Sequence, residues 1–263
     1  MRIAESPVRG HRPRKIHCLA VAAAAIAASA LPASAEDPDI LWKIVHDQCV
    51  PNEQQHHVST PCAEVDLGGG AERGHVVLKD IKGNTQFLVI PTARVSGIED
   101  AALLAPKAPN YWTPAWAARF YVFARAHKEL PRDAIALAVN SVKSRSQNQL
   151  HIHVDCVRPD LRSYLLRNAR RLPISWSDLG MAFNGHRYLA MHLYSSDLSR
   201  FDPFDLLARN IPAARQHMGN WTLVAVGMPR GFVLLAGHVN PETNSNAEGE
   251  ELLDHDCALA KDF

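Results

Sequence analysis

The chain carries almost no net charge, no C-x-x-C pair and no internal repeat. The missing repeat argues against a solenoid or propeller. The missing C-x-x-C spacing argues against a zinc-stapled domain. The near-neutral balance is itself a cancellation. Residues 1–35 hold Arg2, Arg9, Arg12, Arg14 and Lys15 against Glu5 alone, and the rest of the chain has 23 basic and 26 acidic side chains. A body with that slight acidic excess offers no electrostatic reason to expect a nucleic-acid partner. Charged residues are 21% and apolar ones 47% of the 263 positions, which excludes extensive disorder. That length buries one large core or two small ones.

What is present begins with an export signal. The basic residues precede an apolar, alanine-rich run from Ile16 to Leu31, followed by Pro32 and the small-x-small ending Ala33-Ser34-Ala35. A positive flank stays on the cytoplasmic side while the apolar run enters the bilayer. Two readings follow: a signal peptide cleaved after Ala35, or an uncleaved anchor, since Ile16–Ala35 reaches the length of a minimal span. Both put the remainder on the periplasmic side of a bacterial-type inner membrane. In that oxidising compartment Cys49, Cys62, Cys156 and Cys257 form an even set with three possible pairings. Cys49–Cys62 would close a short loop and leave Cys156–Cys257 to tie the C-terminus to the core; free thiols or a metal site are the rivals.

The hydrophobic pattern predicts an α+β protein. Residues 39–50 read as a short helix ending at Pro51, and 75–80 with 86–91 as a hairpin. Thr113-Pro114 reads as a helix start. Trp116, Phe120, Phe123, Ala124 and His127 then give a helical stripe over 114–129. Ile135–Asn140 reads as a strand, Ser141–Asn148 as a polar turn, and Leu150–Val157 as a half-buried strand of period two. Beyond Pro159 the pattern is weaker: a helix from Asp202-Pro203, a hairpin of Trp221–Val226 with Phe232–Ala236, a loop at 241–249 and a terminal helix containing Cys257.

The chemistry sits on the strand Leu150–Val157. Alternation sends Gln149, His151, His153 and Asp155 to one face. A neutral imidazole there could attack phosphorus while a polar neighbour fixes its tautomer, and donors from Asn140, Lys143, Arg145, Ser146, Gln147 and Asn148 could neutralise phosphoryl oxygens. The tripeptide His-x-His also occurs on strands without function, and it can bind zinc or iron. No third ligand lies at a convincing spacing, so no metal or other cofactor is expected.

Several segments in order resemble the histidine-triad superfamily: FLVIPTARVSGIED (87–100), the aromatic helix, IALAVN (135–140) and QLHIHV (149–154). Within it, NYWTPAWAARFYVFARAHKELP through NSVKSRSQNQLHIHVDCVRPD (110–160), the N-terminal apolar segment and the C-terminal extension resemble the CDP-diacylglycerol pyrophosphatase family. The resemblance implies a leader or anchor (1–35), a triad-like catalytic core (36–160) with an antiparallel sheet and packed helix, and a C-terminal α/β extension (161–263). It implies hydrolysis of CDP-diacylglycerol to CMP and phosphatidate at the inner-membrane surface. The alternatives are hydrolysis of a soluble nucleotide conjugate, or nucleotide or lipid binding without catalysis. The family pattern has three alternating histidines and this chain has two. With His151 first, Asp155 takes the third place and His153 is the nucleophile. With Gln149 first, His151 is the nucleophile. Asn140, at the spacing of the family's phosphate-contacting asparagine, favours His153, whereas Ser146 suits the other register. Gln147, Asn148, Ser146, Arg94 and Asp155 are the further substrate- or phosphate-binding expectations, Arg94 standing where the family has a histidine.

Overall fold

A computed structural model describes residues 37–263, so the predicted export segment lies outside the described residues. The chain enters through helix α1 (Ile40–Ile44), which widens into a π-helical stretch over Val45–Cys49 and continues as α2 (Val50–His56). The helix therefore passes Pro51 instead of stopping there. Pro51 has no N–H to give to the preceding turn, and the wider π turn just before it already shifts the hydrogen-bond register. The end comes at His57, in the left-handed region at φ 55°.

Strands β1 (Glu64–Asp66), β2 (His75–Lys79) and β3 (Phe87–Pro91) follow, with β2 and β3 in the expected hairpin register Val77↔Val89. The aromatic helix differs from expectation. It starts earlier, as α3 (Trp112–Ala117), breaks at Ala118 and resumes as α4 (Arg119–Ala126). Thr113 lies inside its first turn and does not cap it; the chain enters through Tyr111, after Asn110, whose Oδ1 accepts from the Trp112 N–H at 3.1 Å. The break rotates the stripe: Trp112, Ala115, Trp116 and Val122 face the core, while Phe120 is 56% exposed.

Strands β4 (Ile135–Val139) and β5 (Ile152–Val157) lead to α5 (Pro159–Asn168). β5 is buried along its whole length rather than on one side, because both faces of the sheet are covered at that point. The weakly patterned region then supplies β6 (Ser177–Phe183), β7 (His186–Leu193), α6 (Pro203–Asn210), α7 (Pro212–Gln216), β8 (Trp221–Gly227) and β9 (Phe232–His238). The Asp202 side chain caps α6 by accepting from Phe204 N. The predicted terminal helix is absent. Two 3₁₀ turns, Gly249–Leu252 and Ala258–Asp262, flank a two-residue strand β10 (Leu253–Asp254), and Cys257 sits at φ 48°.

All pairings are antiparallel, and the ten strands form one sheet of order β1-β2-β3-β5-β4-β8-β9-β7-β6, with β10 added beside β5. This is an α+β architecture. The order also repeats. Inward from each side it runs β2-β3-β5-β4 and β6-β7-β9-β8, each set with helices between its second and third strands in sequence. The two sets meet at β4 and β8, where Ala138 pairs with Val224. The second set carries Val233 and Leu235 on the strand that corresponds to β5. The topology thus has a repeat that the side chains do not show.

Paired residues in a ladder share a face, so Leu88, His153, Ala138 and Val224 point the same way. Over β2 and β3 that face is covered by the N-terminal helix, in a cluster of Leu41, Val45, Leu78, Leu88 and Ile90. Over β4 and β8 it is covered by the C-terminal segment. Gly249 lies so flat there that an added Cβ would sit 2.3 Å from Thr222 Oγ1. Two disulfides hold these covers: Cys49–Cys62 beside α2, and Cys156–Cys257 between β5 and the C-terminus.

Candidate active site

Between the N-terminal helix and the sheet lies a cavity of about 510 Å³, a volume suited to a nucleotide-sized ligand. Its floor is the end of β5 and the loop before it. His151 and His153 both line it, buried to 8% and 4% exposure, with ring centroids 4.9 Å apart.

The two imidazoles have different surroundings. His151 Nδ1 lies 2.7 Å from the backbone carbonyl of Gln149. A carbonyl only accepts, so Nδ1 carries the proton and Nε2 keeps its lone pair. His153 Nε2 lies 3.5 Å from Asn140 Nδ2 and 3.6 Å from Glu250 Oε2, while its Nδ1 stands 4.0 Å from Asp80 Oδ2 with no hydrogen bond. Burial lowers the pKa of both rings, His153 to about 4, so both are neutral at neutral pH.

Asn140 comes to the site as expected. Its Nδ2 donates to Glu250 Oε2 at 3.1 Å and its Oδ1 accepts from Glu250 N at 3.1 Å. Ser146 lines the cavity. Gln147 also lines it, but its amide is engaged at both ends, accepting from Leu41 N and donating to Asp37 O. It thereby fastens α1 to the loop and has little left for phosphate. Asn148 is exposed and outside the cavity lining, its N–H donating to Pro38 O at 2.6 Å. Arg94 is also outside the lining, ion-paired to Asp39 and lying over the Trp42 ring. Gln149 is fully buried and donates to the carbonyls of Pro91 and Ala93, bracing the loop after β3.

Asp155 shares the histidine face but lies behind the cavity. It accepts from Thr85 Oγ1 at 2.6 Å and Cys156 N at 2.8 Å, and meets His255 Nδ1 at 3.0 Å. The other ring nitrogen of His255 lies 3.3 Å from Glu250 Oε1. Hydrogen bonding to Asp155, then to Glu250, raises the His255 pKa to about 10, so it is an imidazolium between two carboxylates. Burial alone would raise the Glu250 pKa, yet His153, His255 and Gln86 together hold it well below the usual carboxylate range. Asp155 is shifted upward by burial, against its bonds from His255 and Thr85.

Sequence reasoning missed Asp80, Glu248 and Glu250, and also the apolar wall formed by α1. Glu250 reaches the histidines across 97 positions of chain from His153, and no local pattern marks it. Asp80, His153 and Glu250 offer one ligand atom each within 4.8 Å of one another, the one group of three among the described residues that could hold a metal ion. Lys82 brings positive charge to the lining; Lys79 also borders it, but its ammonium donates to the carbonyls of Asp80 and Gly83. No helix among the described residues is long and apolar enough to cross a membrane.

This arrangement offers a buried imidazole with a free lone pair, a second imidazole beside it, amide and hydroxyl donors, and an apolar wall. A family model matches residues 36–261, nearly the whole chain, and its description is CDP-diacylglycerol pyrophosphatase.

Proposed function

Because the chain belongs to the CDP-diacylglycerol pyrophosphatase family, hydrolases of the pyrophosphate bond in that lipid, we propose that it cleaves CDP-diacylglycerol to CMP and phosphatidate with His151 as nucleophile. The observation that carries the assignment is the Gln149 carbonyl on His151 Nδ1, which leaves Nε2 unprotonated on a ring that lines the cavity. This favours the register with Gln149 in first place over the one that the position of Asn140 suggests.

In this reading His151 Nε2 attacks one phosphorus. An N–P bond forms as the bridging P–O bond breaks, and its electron pair leaves on the departing phosphate. Water then attacks the same phosphorus, the N–P bond breaks and the imidazole returns to its neutral tautomer. His153, between Asp80 and Glu250, is the group we assign to take the proton of that water. The hydroxyls of Ser144 and Ser146 and the ammonium of Lys82 stabilise the phosphoryl oxygens, while Asn140, bonded at both ends of its amide to Glu250, holds that residue beside His153. Work at the outer face of the inner membrane belongs to the same proposal and rests on the basic and apolar leader over residues 1–35.

The test is to quench the enzyme in acid-free conditions during turnover and map the phosphorylated peptide by mass spectrometry. Phosphate on His151 is the expected result. Phosphate on His153 would restore the other register, and release of CMP with no phosphohistidine under any quench would remove the covalent mechanism.

A further inference from the structure

The cavity is unevenly lined, and this deepens the reading above, on which it rests. Away from the histidines one wall is hydrocarbon: Ile40, Leu41 and Ile44 from α1, with Pro61, Leu78 and Ile81. Leu41 and Leu78 belong to a packed cluster and need no ligand to explain them. Ile81 and Ile40 are different. Ile81 is 91% exposed and Ile40 39% exposed, both at the border of the cavity and both among the few large apolar side chains left in water. Keeping such side chains solvated forfeits the burial that stabilises others, and apolar surface rimmed by polar groups marks a contact site.

A pyrimidine ring can pack on two or three aliphatic side chains, but it does not account for an apolar lip that runs out into solvent at Ile40 and Ile81, whereas the acyl half of the substrate does. We infer that the α1 wall, with Ile81 at its lip, is the subsite for the acyl-glycerol end of the lipid, and that the pyrophosphate lies between it and the histidines. The wall is continuous with the catalytic floor: Asp80, which faces His153, is the neighbour of Ile81, and Leu88 pairs directly with His153 across the ladder. Gln147 then acquires a purpose. By fixing Leu41 N and Asp37 O it sets the distance between the lipid wall and the loop that carries the phosphate-facing hydroxyls. The wall makes the enzyme selective for a lipid-linked pyrophosphate over a water-soluble one.

The test compares long-chain CDP-diacylglycerol in mixed micelles with CDP-glycerol, which has the same pyrophosphate and no acyl chains. The double variant Ile40→Ser, Ile81→Ser should lower the preference for the lipid, as the ratio of kcat/KM values, by about tenfold or more, through KM. Ile174→Ser, 74% exposed and outside the cavity, should keep the wild-type ratio. An unchanged ratio in the double variant overturns the inference, as does an equal loss in Ile174→Ser, which would mean general adsorption to micelles. Binding of both ligands to the His151→Ala protein, with and without the two serines, gives the same preference without turnover. CMP release that survives His151→Ala therefore counts against the nucleophile alone, and loss of binding preference still reads out the wall.

Discussion

At the scale of single residues, the two histidines are neighbours with different duties. His151 has a fixed tautomer and an open Nε2; His153 is boxed by Asp80, Asn140 and Glu250. His151→Ala should lower kcat by at least about a thousandfold, and His153→Ala by less, because only the first removes the atom that bonds to phosphorus. Steady-state release of CMP measures both. The pH profile follows from the same burial. Both rings are shifted below the ordinary 6.5, so the neutral forms persist as the medium turns acidic. The profile of kcat/KM, which reports the His151 nucleophile, should stay level from neutrality to below pH 6.5, with its acid limb under the ordinary imidazole value. An acid limb at or above the ordinary imidazole value would contradict it. Turnover should survive a strong chelator, since the charge is handled by side chains; loss of activity that added zinc restores would reassign Asp80, His153 and Glu250 to an ion.

At the scale of elements, the C-terminal segment has the largest consequence. It brings Glu250 to His153 and His255 to Asp155, and the Cys156–Cys257 bridge ties it to the strand bearing the histidines. A cross-link across a sequence separation of 101 restrains the unfolded chain by about 4–5 kcal/mol on the chain-entropy account. Cys257→Ser should therefore lower stability in chemical denaturation by a few kcal/mol, on the order of 2–4. His255 adds a pH dependence of its own. Its pKa is raised to about 10 in the fold, so its stabilisation is complete below 6.5 and is lost as pH rises toward 10. Melting temperatures measured between pH 7 and 10 should fall more steeply for the wild type than for His255→Ala.

This segment also marks the limit of what was legible. The β2–β3 hairpin, β4, β5 and the β8–β9 hairpin declare themselves by alternation and turn residues, and the two bridges seen are one of the three pairings open to the four cysteines. The end of the chain has no such periodicity. Its conformation is set by what it lies on, namely Thr222, Val224 and the carbonyl of Val139 beneath Gly249. The aromatic stripe misled for a related reason. A single break at Ala118 is enough to turn Phe120 outward, and no residue there announces a break. Arg94 and Asn148 are the two expected phosphate contacts that stand outside the cavity: Asp39, just ahead of α1, takes the Arg94 guanidinium, and the Asn148 side chain is exposed where the backbone of its loop is tied to Pro38.

At the scale of the whole molecule, the repeated strand order means that residues 36–160 end in an open sheet edge at β4, whose Ile135, Ala136, Leu137, Ala138 and Val139 are all buried in the full chain by β8 and its covers. A fragment covering 36–160 should aggregate or self-associate when expressed alone, whereas cleavage of the intact protein in the α5–β6 loop should leave the two pieces bound. Size-exclusion chromatography with light scattering distinguishes these outcomes.

The position of Glu250 has a further meaning when the chain is considered in the order of its synthesis. The histidines are made about a hundred residues before the carboxylate that closes their pocket, and the last strand joins the sheet beside β5 only when Leu253 and Asp254 have emerged. A chain halted before Glu250 can hold both imidazoles and still lack one side of their box, so the pocket is closed only about a hundred residues of synthesis after its histidines are made.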